Sequence, residues 1–151
     1  NQVTPKDRVA TLDRIVDELP ASSLLKINSI LERFARSGAT DRALAAVERL
    51  AARIPDNYLV LMARGDALRA NHRLQDAIGS YEAARDLRPE SPGAYERLID
   101  VHMEKNEFVK AEQLCDAMAA AGVGARIRGL WKKADMFAEL GLHAASMRVL
   151  D

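Results

Sequence analysis

A shift of 34 residues lays this chain on itself. Residues 24–57 (LLKINSILERFARSGATDRALAAVERLAARIPDN), 58–91 (YLVLMARGDALRANHRLQDAIGSYEAARDLRPES) and 92–125 (PGAYERLIDVHMEKNEFVKAEQLCDAMAAAGVGA) align without gaps. A fourth copy, displaced by one further residue, starts near Ile127 and runs to Asp151. A period of this length constrains folding strongly, because one unit cannot bury its own apolar face. Neighbouring units must stack, and the core becomes a line of contacts between successive units.

The equivalent residues are those that helix packing requires. Ala43, Ala77, Ala111 and Ser146 share one slot, and Leu31, Gly65, Ile99 and Ala134 share the slot facing it. Small side chains on one or both sides let two helices approach to the ~8–10 Å interaxial range. Val47, Tyr81, Cys115 and Leu150 fill a larger slot one turn on, and Ile27, Leu61, Tyr95 and Leu130 fill another near the start of the first helix. Each unit therefore reads as two antiparallel helices. Ser37-Gly38, Asn71-His72, Lys105-Asn106 and Gly141 mark the turn inside a unit, since such residues accept a left-handed backbone or end a helix well. Pro55-Asp56-Asn57 and Pro89-Glu90-Ser91 mark the turn between units, because proline lacks the amide hydrogen that would continue the ladder. Ser91-Pro92 has the form of an N-cap followed by proline in the first turn.

The spacing, the paired small slots and the closing prolines resemble the tetratricopeptide repeat over roughly residues 22 to 150. The second unit matches best, through Gly65, Ala77, Tyr81, Ala84 and Pro89. The third departs from the pattern: Cys115 stands in place of the usual aromatic, Val123 in place of the proline, and its exit, AAAGVGARIRG, uses Gly122 and Gly124 instead, plus one extra residue. The resemblance implies an all-α protein, an α-solenoid of stacked antiparallel helical hairpins with about 8–9 helices and a right-handed superhelix, concave on the side of the first helices. The expected parts are a helix over 5–19, repeats over 22–57, 58–91 and 92–125, and a truncated repeat over 126–151. The 5–19 segment opens with Thr4 and Asp7 in capping-box spacing and Pro5 at the first helical position. It reads as the second helix of a truncated preceding repeat, with an N-terminal cap as the alternative.

Composition excludes several classes. Lys and Arg number 22, as do Asp and Glu, so the formal net charge is zero. A nucleic-acid binder usually carries a basic excess, so nucleic acid is not expected as a partner. No apolar run approaches the ~18 residues that cross a bilayer, so no membrane insertion by this segment is expected. The polar start, NQVTPKDRV, shows no signal peptide and lacks Met, and the end LHAASMRVLD stops within a helical pattern. A processed protein or an excised piece is expected, and the sequence assigns no compartment.

Catalytic residues, cofactors and metals are not expected. The lone Cys115 cannot form an intramolecular disulfide and sits in a core slot. His72, His102 and His143 show no i, i+4 pairing for a metal, and GVGARIRG follows a helix and lacks the Lys-Ser/Thr of a phosphate loop.

Function is expected in the groove that the resemblance implies along the first helices. Glu32, Asp66, Asp100 and Asp135 form a ladder, one carboxylate per unit in register. Glu32 has Arg36 four residues on and Asp66 has Arg69 three on, so both can pair locally. At the four-residue offset Asp100 meets Glu104 and Asp135 meets Glu139, with Arg97 and Lys132 compensating only in part. The groove should thus be near neutral toward the N-terminus and more acidic toward the C-terminus. Asn28, Met62, Glu96 and Trp131 complete the candidate lining. Such a surface favours a basic or amide-rich segment of a partner protein, and it lacks the Lys, Arg and Asn with which some relatives clamp acidic chaperone tails. The expected role is a non-catalytic interaction scaffold within a larger bacterial assembly, export or exopolysaccharide-secretion protein. Self-association as a homodimer through exposed end helices, and regulation or positioning of a catalytic domain, are the alternatives.

Overall fold

A computed structural model describes residues 4–150, excepting the side chains of Val123, Ala144 and Leu150. The described residues form α1 (Pro5–Asp17), a 3₁₀ segment (Ala21–Lys26), α2 (Ile27–Arg36), α3 (Thr40–Arg53), α4 (Tyr58–Ala70), α5 (Leu74–Leu87), α6 (Pro92–Glu104), α7 (Phe108–Ala120), α8 (Val123–Glu139) and α9 (His143–Leu150). They contain no strand. Asn1–Leu87 and Arg88–Asp151 are two compact units.

The turns inside the hairpins repeat one design. Gly38, His72, Asn106 and Gly141 have φ of 69°, 58°, 58° and 74°. Beside each, two backbone bonds close the preceding helix. At the first turn the Ala39 amide donates to the Phe34 carbonyl (3.0 Å) and Gly38 to Ala35 (2.9 Å). The same pairs recur as Arg73 to Leu68 with His72 to Arg69, Glu107 to His102 with Asn106 to Met103, and Leu142 to Phe137 with Gly141 to Ala138. These are Schellman closures, which satisfy the last carbonyls of a helix and turn the chain sharply. The left-handed residues expected in the sequence occupy the position that the closure demands.

In the first unit, Leu12 and Val16 of α1 pack with Ile27, Ile30 and Phe34 of α2 and with Val47 and Leu50 of α3. Each first helix meets its own second helix, and α3 packs in turn on α4. Ala77 and Tyr81 are fully buried, and a Cβ on Gly65 would lie 2.3 Å from the Tyr81 ring. The small-slot expectation thus has a concrete cause: the Tyr81 ring occupies the space that a side chain at 65 would need.

Charge fixes α1 to α3. Asp13 is nearly buried and accepts from Arg42 and Arg49, and Asp17 accepts from Arg49 at 2.8 Å. Arg53 donates to the carbonyls of Val16 and Leu19, both at 2.9 Å, adding a side-chain donor at the end of the helix, where carbonyls run out of intrahelical partners. The Thr4–Asp7 capping box forms as expected. The 3₁₀ segment delays the first α-helix of repeat one to Ile27.

In the second unit, Tyr95 and Ile99 of α6, Ala111, Cys115 and Met118 of α7, and Ala125 and Met136 of α8 form the core. Gly129 marks the tightest approach, since a Cβ there would meet the Ala119 amide nitrogen at 2.6 Å and the Cys115 carbonyl at 2.8 Å. One expectation needs correction. The helix expected to start near Ile127 begins four residues earlier, because α8 runs from Val123 through the second half of the AAAGVGARIRG exit. No proline interrupts this stretch, so only Ala121 and Gly122 separate α7 from α8, and the amide of Arg126 bonds back to the Gly122 carbonyl at 2.7 Å. Ser91 holds the cap position of α6, but its side chain makes no capping bond.

Candidate functional site

The two units carry the candidate residues on separate first helices. In the first unit, Asn28, Glu32 and Arg36 lie exposed on α2, and Met62, Asp66 and Arg69 lie half-buried on α4. Arg36 pairs with Glu32 at 3.3 Å, the local pairing expected from their spacing. Asp66 is bound from the core: the Tyr81 hydroxyl donates to its Oδ1 at 2.7 Å. That bond crosses from the second helix of the hairpin to the first and holds the carboxylate in place.

In the second unit, Glu96 and Asp100 lie half-buried on α6, with Glu104 exposed one turn on. Arg128 of α8 reaches Glu96 at 2.9 Å, and Lys132 reaches Asp100 at 2.7 Å. Burial opposes the charged form of Lys132, but the bond to Asp100 and the nearby Glu96 and Glu139 outweigh it and raise the ammonium pKa. The greater acidity expected toward the C-terminus is thereby reduced at Asp100. The cation expected to offset Asp135 on its own helix turns back to the preceding first helix, where it neutralises Asp100. Sequence reading also missed Arg128, whose signal was its place three residues before Trp131 on a first helix.

A different acidic feature remains. Ile127, Trp131, Asp135 and Glu139 follow one another at four-residue spacing along α8, so they form one stripe. All four are exposed, Trp131 at 57%. Asp135 and Glu139 make no ion pair or hydrogen bond to another described side chain.

The residues at 64 and 133, equivalent in the repeat frame, carry a second recurring link. Arg64 of α4 binds Glu48 of α3 at 3.0 Å, and in the other unit Lys133 of α8 binds Asp116 of α7 at 2.8 Å. Both ties join a second helix to the next first helix in equivalent register, so they are structural.

Among the described residues, no group of His, Cys, Asp and Glu could hold a metal ion, and no helix is long and apolar enough to cross a membrane. His102 is buried with its Nδ1 2.6 Å from Glu107 Oε2, His72 supplies a left-handed turn, and His143 is exposed at the start of α9. Cys115 is fully buried, and desolvation, reinforced by Asp116, pushes its thiol up to about 12.

A tetratricopeptide repeat family model matches residues 32–92 and 62–125. The chain belongs to the tetratricopeptide repeat family. Comparison with curated proteins gives no match. Among solved structures, a crystal structure of MamA is similar at 16% identity and a TM-score of 0.68, covering 95% of this chain and 85% of that one. A structure of MamA from Desulfovibrio magneticus RS-1, spanning residue 41 to its end, is similar at 21% identity and a TM-score of 0.62, covering 83% of this chain and 72% of that one. These likenesses bear on the fold, which is that of stacked tetratricopeptide hairpins. Tetratricopeptide arrays serve as protein-interaction scaffolds and typically carry no catalysis, so the implied partner is a protein.

Proposed function

We propose that this chain is a non-catalytic interaction module that receives a basic or amide-rich segment of a partner protein on the exposed stripe of α8. The observation that carries this reading is the pairing of Trp131, exposed on a first helix, with two carboxylates that form no ion pair with a described side chain, Asp135 and Glu139. An exposed tryptophan offers apolar area and a ring face to a lysine or arginine. The carboxylates one and two turns on select for positive charge or amide donors. Glu96, Asp100 and Glu104 of the same unit are secondary contacts in this reading, because Glu96 and Asp100 already bind Arg128 and Lys132. By resemblance alone, we place the module in a larger bacterial assembly, export or exopolysaccharide-secretion protein.

A peptide-display selection tests this. The chain should enrich sequences rich in Lys, Arg, Asn and Gln around an apolar residue, and a Trp131→Ala, Asp135→Lys variant should not. Equal enrichment by both proteins would place recognition elsewhere.

Self-association through the end helices is the second reading, favoured by Leu142 and Met147, which stand exposed at and beside α9. Light scattering across concentrations distinguishes it, since a constant monomer mass removes it.

A further inference from the structure

A cleft of about 450 Å³ lies between α1 and α2, within the first unit, and shares only Arg36 with the candidate binding residues above. Its walls are Arg8 and Thr11 from α1 and Arg33, Arg36 and Ser37 from α2 and the turn that follows it. Its floor is Leu12 and Ile15, one buried and one 39% exposed.

The charge around this cleft is unusual for the unit that holds it. Arg42 and Arg49 bind Asp13 and Asp17, Arg64 binds Glu48, Arg73 binds Asp76 and Arg53 binds two carbonyls. The side chains of Arg8 and Arg33 have no ion-pair or hydrogen-bonding partner among the described residues, and that of Arg36 has only the exposed Glu32 at 3.3 Å. In a chain with equal numbers of acids and bases, two unpaired guanidinium groups facing one cleft from two helices form a local positive site. Guanidinium groups favour bidentate contact with carboxylates. The Thr11 and Ser37 hydroxyls already donate to the Asp7 and Arg33 carbonyls, so they present their oxygens as acceptors for a peptide amide.

We propose that this cleft binds an acidic peptide segment in which carboxylates flank an apolar side chain. The carboxylates meet Arg8, Arg33 and Arg36, and the apolar side chain rests on Leu12 and Ile15. The apolar floor and the acceptor oxygens favour a peptide over a phosphate-bearing ligand, which would use neither. This site does not depend on the α8 stripe and has the opposite charge preference.

Fluorescence anisotropy of a labelled Asp-Glu-Leu-Asp-Glu peptide with the whole chain tests the proposal. Saturable binding is expected, weakening at least tenfold in an Arg8→Glu, Arg33→Glu variant whose circular dichroism is unchanged, since both side chains are exposed. It should also weaken severalfold when the peptide leucine becomes glycine, and should persist in Trp131→Ala. Competition with inorganic phosphate or a single-stranded oligonucleotide should displace the peptide only through ionic strength, matched by sodium chloride. No saturable binding, equal binding by the double variant, equal binding of the glycine peptide, or specific displacement by phosphate or oligonucleotide would overturn it.

Discussion

The Tyr81 hydroxyl donates a 2.7 Å hydrogen bond to Asp66, while the Tyr81 ring fills the space beside Gly65. One buried side chain therefore sets both the approach of α4 to α5 and the position of a carboxylate on the first helix. Core packing and surface chemistry are coupled at this point, because moving the ring moves the carboxylate's partner.

Gly65→Ala should lower the urea midpoint, with a cost of about 1–3 kcal/mol for forcing a methyl group into a filled core. Tyr81→Phe keeps the ring and removes the bond to a charged acceptor, at about 1–3 kcal/mol. In the double variant the costs should not add, since a displaced ring has already lost Asp66. Additive midpoint shifts would mean that the ring and the carboxylate act independently.

The Glu107 carboxyl is held at about 2 by the His102 ring, against the cost of burial, with Lys105 and Lys110 adding to the effect. An unfolded glutamate titrates near ~4.3. A folded pKa depressed below that value gives stability that is present above about pH 4.3 and disappears as pH falls through about 2. Glu107→Gln should therefore reduce the urea midpoint at pH 6, and the gap to the unmodified chain should close between pH 4.3 and 2. A gap independent of pH would assign the loss to packing.

Cys115 should be inert. Its thiol is fully buried and pushed up to about 12, so almost no thiolate exists at neutral pH. Iodoacetamide at pH 8 should leave the native chain unlabelled for hours and label it fully in urea. Rapid native labelling would show that the α6–α7–α8 core opens readily.

Much of the fold was legible in the sequence because its determinants are local. Gly38, His72, Asn106 and Gly141 announce left-handed closures through residue type and spacing alone. The facing slots at Gly65, Ala77 and Tyr81 are fixed by the repeat frame. The α8 start was not legible, because the repeat frame led to an exit where glycine, without proline, permits a helix to begin at Val123. The charge pattern was legible only within a helix. Glu32 and Arg36 pair as their spacing requires, whereas Lys132 and Arg128 choose Asp100 and Glu96 across the gap between α8 and α6. Such a choice depends on the distance between two helices, which a one-dimensional spacing rule does not contain. The Arg8–Arg33 cleft was invisible for the same reason.

The central claim is that the α8 stripe receives a positively charged or amide-rich segment, and the chain's only tryptophan reports on it. Emission of Trp131 should be titrated with a Lys-Asn-Leu-Lys-Asn-Lys peptide, in the unmodified chain and in an Asp135→Lys, Glu139→Lys variant. The account predicts a saturable spectral change that the variant loses while keeping its helicity. Emission that never changes, or that saturates identically in both proteins, would contradict it.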